Sequence, residues 1–71
     1  MKPAMKIMLN NREETFEAVQ MTISELLAAK NFTFKMLVVK VNAELVRRHE
    51  YDKKVVNEGD DVMVLHLITG G

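Results

Sequence analysis

Val62-Met63-Val64-Leu65-His66-Leu67-Ile68-Thr69-Gly70-Gly71 closes the chain. Residues 62–68 are apolar except for His66 and read as a strand. Along it Val62, Val64 and His66 point one way, and Met63, Leu65 and Leu67 the other. Both sets are largely apolar. A thin sheet with a helix on one side has only one buried face, so one set is expected on the surface as a docking patch. Beyond the strand, Gly70 and Gly71 have no side chain to bury. Glycine also loses more backbone entropy on ordering than any other residue. Residues 68–71 are therefore expected to form a flexible tail, a thin arm able to carry a carboxylate into a narrow cleft.

The chain has 71 residues, enough for one domain, 1–71, with residues 1–4 a short N-terminal extension. Ten basic and ten acidic residues cancel, which disfavours a nucleic-acid module with its basic stripe. No cysteine is present, so disulfides, thiolate metal sites and a cysteine nucleophile are excluded. The longest apolar runs, 36–39 and 62–65, fall far short of the ~20 residues that span a bilayer. The N-terminus shows no apolar signal core. A cytoplasmic protein with no metal and no bound cofactor is expected.

Upstream, Met5, Ile7 and Leu9 alternate with Lys6, Met8 and Asn10, the period of a strand. Asn10-Asn11 suits a tight turn, because asparagine tolerates positive φ. Residues 14–19 are expected to return as the second strand of a hairpin, anchored by Phe16. Thr22 and Glu25 have the spacing of a capping box, with Met21 and Leu26 at the staple positions. Ile23, Leu26 and Leu27 share one helical face, and Asn31 is a suitable stop. The helix should lay that face on the hairpin. Phe32 and Phe34 are read as packing at the helix end.

Residues 36–41 form the next strand, apolar enough to be covered on one face and partly on the other. Residues 42–44 turn the chain into a short strand at Leu45-Val46. The polar stretch 47–52 is expected to be irregular or a 3₁₀ turn with Tyr51 packed back, and 53–56 a brief extended piece. Asn57-Glu58-Gly59-Asp60 is a turn, with Gly59 the natural site for positive φ. This order predicts an α+β, β-grasp or ubiquitin-like fold: a mixed sheet of four to five strands with one main helix on one face.

Three motifs sharpen the reading. Val39-Lys40-Val41-Asn42-Ala43-Glu44-Leu45-Val46, then Glu58-Gly59-Asp60-Asp61-Val62, then Gly70-Gly71 resemble the ThiS family of bacterial sulfur carriers, within the ThiS/MoaD superfamily. The likeness covers nearly everything after Met5. Ala43 stands where that family often has glycine, Arg47 where proline is common, and Thr69 where a smaller residue is usual.

The resemblance implies a carrier for the thiazole branch of thiamine biosynthesis, a protein cosubstrate and not an enzyme. An E1-like, ThiF-like partner would use ATP to adenylate the Gly71 carboxylate. A sulfur donor would then convert it to a thiocarboxylate for a ThiG-like thiazole synthase. Gly70, Gly71, Thr69, Ile68, Leu67, Leu65 and Met63 would meet these partners, with the carrier working as a monomer. The nearest alternatives are the small subunit of molybdopterin synthase or a carrier for another pathway. A non-catalytic β-grasp interaction module is the next, though neutral charge counts against an RNA-binding one. An enzyme finds least support: His49 and His66 are isolated, with no carboxylate pair or nucleophile at a recognisable spacing.

Overall fold

Asn10 and Asn11 take φ of 52° and 67°, the two left-handed residues that a type I′ hairpin turn requires. The structure is a computed structural model that describes residues 3–33 and 36–66. In it the turn joins β1 (Met5–Leu9) to β2 (Arg12–Phe16), pairing Leu9 with Arg12 and Met5 with Phe16. The return strand expected over 14–19 thus lies earlier. A two-residue turn places Arg12 directly across from Leu9, and the pairing ends when β1 reaches its first residue, Met5. There the chain bends, and the Ala18 N–H donates to the Phe16 carbonyl at 2.9 Å.

The capping box is present as read. Thr22 Oγ1 accepts from the Glu25 N–H at 3.1 Å, and Glu25 Oε1 accepts from the Thr22 N–H at 2.8 Å. They open α1 (Ile23–Ala29), whose Ile23, Leu26 and Leu27 are buried. Asn31 ends it with φ 59°. Its N–H donates to the Ala28 carbonyl at 3.1 Å while the Phe32 N–H donates to Leu27 at 2.8 Å, the paired bonds of a Schellman motif. Phe32 packs on the core; Phe34 lies outside the described residues.

Next come β4 (Leu37–Val41) and β5 (Glu44–Val46), joined by a second left-handed pair, Asn42 and Ala43, with φ of 50° and 71°. The turn is therefore two residues long, and Glu44 is already paired opposite Val41. A 3₁₀ turn (Arg48–Glu50) follows, with Tyr51 packed back on the core. Here β6 (Val55–Val56) pairs with β3 (Met21–Thr22), the two residues leading into α1, in a small second sheet. Gly59 turns with φ 84° into β7 (Asp61–His66).

The main sheet has five strands in the order β2-β1-β7-β4-β5. Only the β1–β7 contact is parallel; the others are antiparallel. The inner face sends Met5, Ile7, Leu9, Val39, Val41, Val46, Val62 and Val64 against Ile23, Leu26 and Leu27 of α1 and Val56. Each such side chain, fully buried, stabilises by ~1.5–3 kcal/mol. Among the described residues no polar side chain is buried. The architecture is a β-grasp, with β7 between β1 and β4.

Candidate functional site

Register settles the parity of β7. Val62 and Val64 sit opposite Val41 and Val39 on the inner face, so Met63 and Leu65 face outward. Val38 lies beside Leu65, and Lys40 lies between Met63 and Leu45. Met36, exposed, directly precedes β4, and Met8 reaches the same face from β1 beside Asp61. Leu65 is 46% exposed, Leu45 54%, Met36 48% and Met8 37%, while Met63 and Val38 are half-buried. No described segment covers this apolar face. Its central strand leads directly into residues 67–71.

Of the residues expected to meet partners, Met63 and Leu65 lie together here. Leu67, Ile68, Thr69, Gly70 and Gly71 lie outside the described residues. Sequence reasoning missed Met8, Val38 and Leu45 as members of the face. The signal was the two-residue turn at Asn42-Ala43, which puts Lys40 opposite Leu45 and fixes which alternate residues point outward.

The motifs at 39–46 and 58–62 build the far end of the sheet. The Asn42 N–H donates to the Asp61 carbonyl at 2.7 Å, and the Asp61 N–H donates to Asn42 Oδ1 at 2.9 Å. The Asp60 carboxylate accepts from Asn42 Nδ2 at 3.1 Å and from the Asn57 N–H at 2.9 Å. Glu58 Oε1 accepts from the Lys6 N–H at 2.8 Å, and the Gly59 N–H donates to the Lys6 carbonyl at 2.8 Å. These side chains latch two turns to each other and to β1. They hold the start of β7 in register.

His49 and His66 are exposed and stand in separate elements. No group of three His, Asp or Glu side chains among the described residues is placed to hold a metal. The depression lined by Lys6, Ile7, Met8, Glu13, Glu58 and Gly59 has a volume of about 160 Å³. Small-molecule sites usually enclose ~300–1,000 Å³. Among the described residues no helix is long and apolar enough to cross a membrane.

A five-stranded β-grasp with an open apolar sheet face and a diglycine sequence beyond its last described strand defines a ubiquitin-like protein. The ThiS family model matches residues 5–71, and the chain belongs to the ThiS family. It is similar to a thiamine biosynthesis protein (ThiS) of Geobacter metallireducens. Against that protein's crystal structure the TM-score is 0.85 at 29% identity, covering 94% of this chain and 100% of that one. Against a solution structure of a thiamine biosynthesis protein from the same organism the TM-score is 0.78, again at 29% identity, covering 94% and 88%. It is also 33% identical over 67 residues to a thiazole synthase of Paramagnetospirillum magneticum, a match covering 94% of this chain. The chain spans 20% of the length of that curated relative.

Proposed function

We propose that this chain is the sulfur carrier of thiazole formation in thiamine biosynthesis, a protein cosubstrate whose reacting group is the Gly71 carboxylate. The carrying observation is the open apolar face around Leu65 and Met63, on the last described strand, after which the sequence leads to Gly70-Gly71. A docking surface joined to a side-chain-free arm suits a protein whose chemistry is done inside another protein's active site.

A carboxylate is a poor electrophile because it is anionic and its oxygen leaves badly. An E1-like, ThiF-like enzyme overcomes this with ATP. The Gly71 carboxylate oxygen bonds to the α-phosphorus and pyrophosphate leaves. The acyl-adenylate that results has AMP as a good leaving group. Sulfide then adds at the acyl carbon and expels AMP, which gives the thiocarboxylate. A protein persulfide reaches the same product through an acyl disulfide, whose S–S bond a second thiol cleaves. The sulfur rides on the backbone terminus, so a chain without cysteine is suited to the task. A ThiG-like thiazole synthase would accept the sulfur. This client is favoured over molybdopterin synthase by the relatives, thiamine biosynthesis proteins and a thiazole synthase.

The test is a mass measurement after incubation with ATP, a ThiF-like enzyme and a sulfide source. The chain should gain the difference between sulfur and oxygen. A variant lacking Gly71 should gain nothing; an equal gain in that variant would place the chemistry elsewhere.

A further inference from the structure

The formal charges cancel, yet the carboxylates are largely engaged and several cations are not. Glu25, Glu50 and Glu58 each accept from a backbone N–H, those of Thr22, Arg47 and Lys6. Asp60 accepts from Asn42 and from the Asn57 N–H, and Asp52 from Ser24. Glu14 pairs with Lys30 at 3.0 Å. Among the described residues, Lys40, Arg47 and Arg48 have no ion-pair partner.

Two of these cations border the apolar face. Lys40 stands between Met63 and Leu45. Arg47 directly follows β5, one residue beyond the Val46–Val39 pair, and its extended backbone (φ −83°, ψ 156°) gives it the outward parity of Leu45. The β4–β5 side of the face thus carries two cations, whereas Asp61 at the start of the central strand and Glu13 on β2, both beside Met8, are set against one outward cation, Lys6 of β1.

We infer that the β4–β5 side of this face docks on an acidic protein surface, whose carboxylates meet Lys40 and Arg47 while its apolar centre covers Leu65 and Met63. The inference rests on the carrier reading and names the adenylating partner as the protein that bears this surface. A nucleic acid fits less well, because the chain as a whole is neutral and Asp61 and Glu13 interrupt the cations of this face, so that no continuous basic stripe faces a phosphate backbone. Exposed charges at the rim of an interface act chiefly by steering association, and salt screens them.

The experiment follows ATP-dependent charging of the full chain by a ThiF-like enzyme, with the carrier concentration varied. The double reversal Lys40→Glu with Arg47→Glu should raise the KM for the carrier about 10-fold at low salt, with kcat unchanged. The difference should shrink toward parity at ~0.5 M NaCl, where screening is nearly complete over contact distances. The pair Lys40→Arg with Arg47→Lys should retain wild-type kinetics. As a control for net charge, Lys53→Glu with Lys54→Glu makes the same change away from the face and should leave KM unaltered. An unchanged KM, an equal loss in the control pair, or a shift in the KM for ATP would overturn the inference. So would tighter binding of RNA than of the enzyme. A wild-type chain that is never charged would instead overturn the carrier reading, and this inference with it.

Discussion

Asn10 extends β1 by one rung with its side chain: Asn10 Oδ1 accepts the Val64 N–H at 2.8 Å, while its own N–H donates to the Val62 carbonyl at 2.9 Å. The parallel pairing of β1 with β7 stops at Leu9 and Val62, because the chain then turns at Asn10-Asn11. A part-buried N–H would be left unmet at Val64, and the amide oxygen supplies its acceptor. Asn10→Gly keeps the left-handed φ of 52° free of strain but removes that acceptor. The expected loss is about 1–2 kcal/mol, together with faster hydrogen exchange at the Val64 amide than at Val62. Undiminished protection at Val64 would show that the side-chain bond contributes nothing.

Ala43 holds φ at 71°, in the left-handed region that costs an L-residue ~1–2 kcal/mol. Glycine relieves this cost but gives the unfolded chain more freedom, worth ~0.4–1 kcal/mol in the other direction. Ala43→Gly should therefore stabilise by roughly 0.5–1 kcal/mol, the difference of these two effects. For a domain of this size that raises Tm by about 2–8 °C. Thermal unfolding followed by circular dichroism reads it directly; a lower Tm would mean that the turn is strain-free as alanine.

These two turns also mark how far the sequence could be read. Asn10-Asn11 and Asn42-Ala43 are both two-residue left-handed turns, and only the first is signalled by residue type at both positions. Alanine rarely takes positive φ, so Glu44 looks like part of the turn when it is already paired with Val41. The helix was legible to the residue at its start, since Thr22 and Glu25 act through the local backbone. The pairing of Met21-Thr22 with Val55-Val56 was not, because it joins residues far apart in the chain. The outer face fell between. Alternation in β7 showed that one parity was exposed, but which one depended on registers with β1 and β4 that no local pattern carries.

Asp60 and Asn42 should be energetically coupled. The Asp60 carboxylate binds Asn42 Nδ2 and the Asn57 N–H, so Asp60→Ala loosens both turns at the start of β7. The loss should be about 1–2 kcal/mol. Asn42→Ala removes one of the same bonds and the acceptor of the Asp61 N–H. The double variant should then be less destabilised than the sum by about 0.5 kcal/mol or more. Strict additivity in urea unfolding would separate the two turns.

Adjacent residues of β7 should respond oppositely to one charge. Val64 is 7% exposed on the inner face, whereas Leu65 is 46% exposed on the outer one. Val64→Asp places an unpaired carboxylate among Val39, Leu26 and their neighbours, where burial of a charge without a partner costs several kcal/mol. For a domain this small such a loss approaches its whole stability, so the variant should be unfolded by circular dichroism at 25 °C. Leu65→Asp keeps its carboxylate in water and should cost no more than about 1 kcal/mol, the span of strand propensity. Its fold should survive while ATP-dependent charging falls, because the partner must now desolvate a carboxylate at the centre of the apolar face. Met63→Glu should act in the same way, more weakly in charging and more strongly in stability, because Met63 is half-buried. A folded Leu65→Asp chain that is charged at the wild-type rate would remove this face from the docking surface and leave residues 67–71 to carry recognition alone.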